Sequence, residues 1–200
     1  QLLEATFSNY SGVLKRPISM LSFALTYYTS GFDAHAFKLF NLFLHMANGA
    51  TLFLLTWLIL TAYSKTHEKN LSRATIQTVS LIVCFAWLVS PINLTGVLYI
   101  VQRMASLSAF FVLWGMVLYL WGRLRLLDGK PGKLLILTSL VVGILATFSK
   151  ENGALLPLYL LALELILFRF KTSRNADSRF LAVFFSVTVA LPAVIAVVAL

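Results

Sequence analysis

The chain has 200 residues, of which 60% are hydrophobic and only 12% charged; with a mean hydropathy of +0.88, an ordinary water-soluble domain is excluded, since such a domain carries roughly twice that share of charge. The formal net charge of +9 does not make it a nucleic-acid binder, because the basic residues sit in short segments beside apolar runs, where membrane orientation and anionic headgroups account for them. A single cysteine, Cys84, lies inside an apolar stretch, which excludes an intrachain disulfide and a thiolate metal cluster.

In chain order, the stretch from Gln1 to Phe32 is amphiphilic rather than apolar. Pro17 suits the first turn of a helix. Ile18, Leu21, Leu25 and Tyr28 recur at helical spacing, which predicts an amphipathic helix lying in the outer membrane interface and ended by Gly31. Residues 1–33 thus read as an outer-side loop carrying this interfacial helix, and residues 34–200 as a transmembrane helical bundle. A crossing helix needs about 20 apolar residues, and segments of that kind run over 34–63, 74–89, 104–121, 134–148 and 153–168, with a sixth opening near Phe180. Ser90-Pro91 closes the second, and Asp128-Gly129-Lys130-Pro131-Gly132 forms the turn between the third and fourth. The expected fold class is all-α, a polytopic transmembrane bundle of about six spans plus the interfacial helix. Gln1 follows no initiator Met and the chain stops inside an apolar run at Leu200, so a fragment of a longer protein is expected.

Charge sets the orientation. Eleven of the sixteen Lys and Arg residues fall in alternate gaps, at Lys65, Lys69 and Arg73, at Arg123, Arg125, Lys130 and Lys133, and at Arg169, Lys171, Arg174 and Arg179. The positive-inside bias places those gaps in the cytoplasm. Lys15, Arg16, Lys38, Arg103 and Lys150 are left on the opposite side, where the bias does not put them, and they become the first candidates for function.

Polar residues that hydrocarbon does not tolerate gather on that outer side. Lys38, Asn41, His45 and Asn48 step by three, four and three residues, which puts them on one helical face; such a stripe faces protein or a wet cavity. Gln102-Arg103 precedes the third span, and Ser149-Lys150-Glu151-Asn152 is squeezed between two short spans. Three outer segments presenting cations suggest a shared anionic ligand, for which phosphate is the usual reason, although Arg103 and Arg16 are equally able to anchor headgroups. Glu164 has Arg169 about a turn further on and reads as a snorkelling or paired carboxylate. Asn93-Leu94-Thr95 matches the N-glycosylation triplet, close enough to the membrane to be expected unused. There is no Gly-rich phosphate loop, HExxH or GxSxG, and His35, His45 and His67 are not spaced as a metal site.

Those residues carry a resemblance. Arg16-Pro-Ile-Ser-Met-Leu-Ser-Phe-Ala-Leu-Thr-Tyr-Tyr, Gly31-Phe-Asp, Phe37-Lys-Leu-Phe-Asn41-Leu-Phe-Leu-His45, Gln102-Arg103 and Ser149-Lys-Glu151 resemble, in order and spacing, the transmembrane region of the tetratricopeptide-repeat-associated O-mannosyltransferase-like proteins and their bacterial relatives, within the GT-C class of membrane glycosyltransferases. The resemblance implies transfer of a sugar from a polyprenyl-phosphate carrier to a protein or glycan acceptor on the outer or lumenal side, in a bacterial plasma membrane rather than the endoplasmic reticulum. It places Arg103 and Lys150 in shared motifs as donor-phosphate ligands, with Gln102 and Glu151 orienting them; the pattern of outer cations adds Arg16 and Lys38 as phosphate candidates, and the helical stripe adds Asn41 and His45 as cavity-lining residues. The acidic motif that acts as base in those relatives precedes the Arg-Pro stretch and would lie before Gln1; Glu4 and Asp33 are the acids left in this loop. The chain departs from the family at Ser90-Pro91-Ile-Asn93-Leu-Thr95, where the relatives carry two histidines and a glutamate, and at Lys38, where they carry a histidine. No cofactor is implied, and a divalent cation is left open. The chemistry fits: displacing a phosphate from an anomeric carbon calls for fixed cations in a water-poor cavity and a carboxylate to deprotonate the acceptor. A carrier or flippase for a lipid-linked saccharide would need the same cations without a base, and a noncatalytic assembly subunit would need neither.

Overall fold

The computed structural model describes residues 14–190. Among them there is no strand, and the elements are α1 (Pro17–Ser30), α2 (Ala34–Thr66), α3 (Arg73–Leu88), α4 (Leu94–Leu98), α5 (Arg103–Leu127), α6 (Lys133–Ser149), α7 (Leu156–Leu163) and α8 (Asn175–Phe185). Short 3-10 turns cover Pro91–Asn93, Ile100–Gln102 and Glu151–Leu155, and π-turns cover Glu164–Phe168 and Ser186–Ala190.

The helix ends follow local chemistry. Pro17, which has no N–H to leave unpaired, opens α1. Gly31, at φ 59°, ends it with its N–H on the Tyr27 carbonyl. The Asp33 carboxylate accepts from the His35 N–H at 2.9 Å and caps α2, and the Ser72 hydroxyl does the same for α3 from Thr75 at 3.0 Å. Pro91 stops α3, and Gly129, at φ 67°, makes the turn into α6.

Three helical stretches are long and apolar enough to cross a membrane, Ala34–Thr66, Ile100–Leu127 and Glu151–Phe168. Arg73–Leu88 and Pro91–Leu98, bent by 52°, add a fourth if they count as one span, while Lys133–Ser149 is apolar but shorter. The described residues therefore carry three to four candidate spans where the sequence suggested about six. This arrangement is compatible with a multi-pass membrane protein. So is the surface: Ile82, Phe85, Leu134 and Val141 are each more than half exposed, an apolar exterior that lipid, not water, covers at low cost.

α5 is the central helix. One of its faces packs Tyr119 and Leu126 with Ile136, Leu156, Leu160 and Phe184, and another packs Val117, Leu120 and Leu124 with Leu55, Ala62 and Phe168. Its turn with α6 is tight because both partners are glycine: a Cβ on Gly132 would overlap the Gly122 carbonyl. Where lipid gives helices no hydrophobic reason to associate, such close approach supplies the dispersion contact.

α1 is oriented opposite to a water-soluble surface helix. Ser19 and Thr26 are its buried residues, whereas Leu21, Leu25 and Tyr28 are 42%, 50% and 77% exposed. The predicted apolar stripe exists and points away from the protein.

At one end of the bundle, Lys65 pairs with Asp128 at 2.8 Å, Lys133 with Asp177 at 2.9 Å, and the Ser173 hydroxyl donates to the Leu127 carbonyl at 3.3 Å. These bonds gather the three basic segments into one basic end. α5 continues to Leu127, six residues past the predicted Trp121, so Arg123 and Arg125 are helical and not loop residues.

Candidate functional site

The opposite end of the bundle brings together the beginning of α1, α2 and α5 and the 3-10 turn after α6. Lys15 and Arg16 both have left-handed backbone, at φ 54° and 47°, a conformation that is unfavourable for residues with a Cβ by about 1–2 kcal/mol each. This bend sends the Arg16 side chain to Glu151, 135 residues away: Nε lies 3.0 Å and 3.1 Å from the two carboxylate oxygens and Nη2 2.9 Å from Oε2. Arg16 Nη1 also lies 3.5 Å from the Met104 sulfur. Both side chains keep some exposure, 22% and 34%. Lys150, half-buried, adds its charge to the field at the Glu151 carboxylate.

Behind this pair sits Arg103, the first residue of α5 and fully buried. Its Nε donates to Asn41 Oδ1 at 2.9 Å, Nη1 to the Ser22 carbonyl at 3.1 Å and the Thr26 hydroxyl at 2.9 Å, and Nη2 to the Phe37 carbonyl at 3.0 Å. The rings of Phe40, Phe23 and Phe37 surround it, with centroids 4.3, 4.7 and 5.2 Å from Cζ. Aromatic faces and neutral oxygens thus hold this cation without a carboxylate. The Asn41 amide turns its nitrogen to the Val97 and Tyr99 carbonyls, at 3.4 and 3.3 Å. Next to this junction, a 730 Å³ apolar groove between α1, α2 and α5 is lined by Leu25, Thr26, Phe40, Phe43 and Leu107.

The predicted site residues are therefore sorted. Arg16 meets Glu151, beside Lys150, and Arg103 meets Asn41. Direct phosphate contact by Arg103 is disfavoured, because the guanidinium is closed off and four of its N–H groups are spent internally. The stripe on α2 divides: Asn41 and Asn48 are buried, with Asn48 donating to the Ser106 carbonyl at 3.0 Å, while Lys38 is exposed. His45 lies apart from the Arg103 junction, its Nε2 3.0 Å from the Leu88 carbonyl and its ring stacked on Trp87 at 4.7 Å. Gln102 is exposed at the end of its 3-10 turn. Asp33 is exposed and serves as a helix cap, and Glu4 lies outside the described residues. No group of three or more His, Cys, Asp or Glu side chains placed to hold a metal occurs among the described residues.

A second buried polar junction, whose pairing no local sequence pattern marks, lies inside the bundle. Glu164 pairs with Arg123 and not with Arg169: Arg123 Nε lies 2.7 Å from Oε2 and Nη2 2.8 Å from Oε1, both side chains fully buried. The Tyr119 hydroxyl adds a bond of 2.6 Å, and the Phe170 N–H one of 3.1 Å. The backbone is shaped for this. The π-turn Glu164–Phe168 leads into Arg169 and Phe170, both left-handed at φ 50° and 56°, which curl the chain back over the carboxylate. The available signal was the pair Arg123 and Arg125: two positions apart on a helix, they face opposite ways, and the structure turns Arg123 inward.

No family model, curated protein or solved structure matches this chain.

Proposed function

We propose that this chain is the membrane-embedded core of a GT-C class glycosyltransferase, moving a sugar from a polyprenyl-phosphate donor to a protein or glycan acceptor at the end of the bundle that holds Arg16 and Glu151, on the outer face of a bacterial plasma membrane. One observation carries the reading. The segments that bear the resemblance, far apart in sequence, converge: Arg16 of the Arg-Pro stretch pairs with Glu151 of Ser-Lys-Glu at 2.9 Å, and Arg103 of Gln-Arg bonds Asn41 of the Phe37–His45 stretch at 2.9 Å.

In this reading the roles divide by access. Arg16 and Lys150, partly exposed, meet the donor phosphate as charge develops on the leaving group. Glu151 holds the Arg16 fork in place until an anion with better geometry competes for it. Arg103, sealed beneath, is a positioning residue that fixes α1 against α2 and α5. The apolar groove beside it, about 730 Å³, takes part of an isoprenoid chain in this reading.

The test is sugar transfer by the purified protein from a panel of short-chain polyprenyl-phosphate sugars, with Lys150→Ala and Arg16→Ala as variants. Each should lose about a hundredfold in turnover, the usual effect of removing one preorganised charge donor. Absence of transfer with every donor, or wild-type turnover in both variants at equal folded yield, sinks the proposal.

A further inference from the structure

The basic end of the bundle holds a cleft remote from Arg16 and Glu151. It has a volume of about 670 Å³ and lies between the last turns of α5, the turn into α6 and the start of α8, with Trp121, Arg125, Lys130, Lys133, Arg174 and Asp177 around it. Two of these charges cancel, since Lys133 is paired with Asp177 at 2.9 Å. Arg125, Lys130 and Arg174 remain, contributed by three separate segments and with no acidic partner among the described residues. Arg125 is already oriented, because its Nε donates to the Pro131 carbonyl at 2.8 Å and leaves both terminal nitrogens directed elsewhere.

Below the charges the wall is apolar. Leu126, Leu134 and Leu135 line the cleft, and the exposed face of α6 continues with Leu134, Leu137 and Val141, at 78%, 46% and 59% exposure. These residues are three and four apart and form one stripe down the helix. Across the ridge made by Trp121 and Arg125 lies a second cleft, about 580 Å³, holding Trp57, Trp114 and the Lys65–Asp128 pair. Its acid and base cancel as well, so the uncompensated cations it borders are Arg125 and Lys130, shared with the first cleft. Cations at the rim, Trp121 beside them and a leucine stripe running away from both match the profile of a phospholipid, whose phosphate, glycerol backbone and acyl chains succeed each other in that order.

We infer that this cleft is a binding site for an anionic phospholipid of the cytoplasmic leaflet, its phosphate between Arg125, Lys130 and Arg174 and one acyl chain along Leu134, Leu137 and Val141. A soluble phosphate would find the cations but leave the leucine stripe unused, and a zwitterionic lipid would bring its own cation against three others.

The experiment uses the full-length protein in a neutral detergent, titrated with phosphatidylglycerol or phosphatidylcholine, with retained lipid counted by native mass spectrometry and Tm recorded in parallel. Phosphatidylglycerol should be retained and should raise Tm, and phosphatidylcholine should do neither. Lys130→Gln with Arg174→Gln, both at exposed positions, should weaken phosphatidylglycerol retention about thirtyfold, while Lys69→Gln with Arg73→Gln, at the same end but outside the cleft, should leave it unchanged. Equal Tm of the two double variants in phosphatidylcholine establishes that both are folded; if the first is not, the single Arg174→Gln replaces it, with about a fivefold loss. Undiminished retention in the cleft variant overturns the inference. Equal loss in the control variant overturns it too, since that reports diffuse attraction to a basic surface, and so does competition by glycerol phosphate at the lipid's own concentration.

Discussion

Arg123 and Glu164 face each other inside the bundle as a two-pronged ion pair, 2.7 and 2.8 Å apart, with neither side chain reaching the surface. Such a pair contributes little net stability compared with an apolar pair of the same size, but removing one partner strands the other. The Arg123 Nη1 group already has no partner in the protein, so the junction has little reserve.

Glu164→Leu alone should destabilise the protein by about 3–5 kcal/mol, measured by thermal or denaturant unfolding in detergent. The triple replacement Tyr119→Phe, Arg123→Met, Glu164→Leu, which removes the polar groups together, should recover most of that loss. A single variant within about 1 kcal/mol of wild type would show that water reaches the junction.

Arg103 and Asn41 give a contrasting case. Asn41→Ala should cost about 1.5–3 kcal/mol, the range for losing a hydrogen bond to a charged group. Arg103→Lys should be no milder than Asn41→Ala, because an ammonium cannot reproduce a planar fork serving acceptors on two helices. Unfolding of the two variants beside wild type decides this, and a stable Arg103→Lys protein would refute it.

The ion pair of Arg16 and Glu151 is partly solvated, so its weight on stability is small. Exchanging the two as Arg16→Glu with Glu151→Arg should shift stability by no more than about 1 kcal/mol, yet abolish sugar transfer if Arg16 meets the donor phosphate. Transfer at the wild-type rate in the swapped protein would restrict the pair to a structural role.

Orientation is open to direct labelling. In a Cys84→Ala background, cysteines replacing Lys69, Lys130 and Arg174 should resist a membrane-impermeant maleimide in intact cells, and those replacing Asn93 and Lys150 should react. The basic bias supports this. Reaction at residues 69, 130 and 174 from outside would invert the arrangement.

Much of the fold was legible because apolar run length and helix stop signals are local. Pro17, Gly31, Asp33 and Pro91 mark boundaries that the structure keeps. The site was legible only in part. The stripe Lys38, Asn41, His45, Asn48 was read as one face, but a helix advances about 100° per residue, which resolves it into two narrower rows. Asn41 and Asn48, seven apart, point inward; Lys38 and His45, also seven apart, lie at the margin. Arg123 was read as a loop cation because its partner is 41 residues away, a pairing that no local pattern encodes. How many of the apolar runs cross was equally hidden, since composition does not show that the second run bends by 52° at Pro91.

The arrangement around Arg103 also bears on how this end of the bundle opens. The cation belongs to α5, and its acceptors belong to α1 and α2. α1 therefore cannot slide outward by small steps, since its first departure uncovers an arginine that nothing else in that pocket neutralises. Motion there becomes two-state: residues 17–30 and the first turn of α5 form one cooperative unit that is either closed or open. Native-state amide exchange should then report a single opening free energy for both segments, and a substrate admitted at this end would enter through rare, complete excursions of α1 and not through continuous breathing.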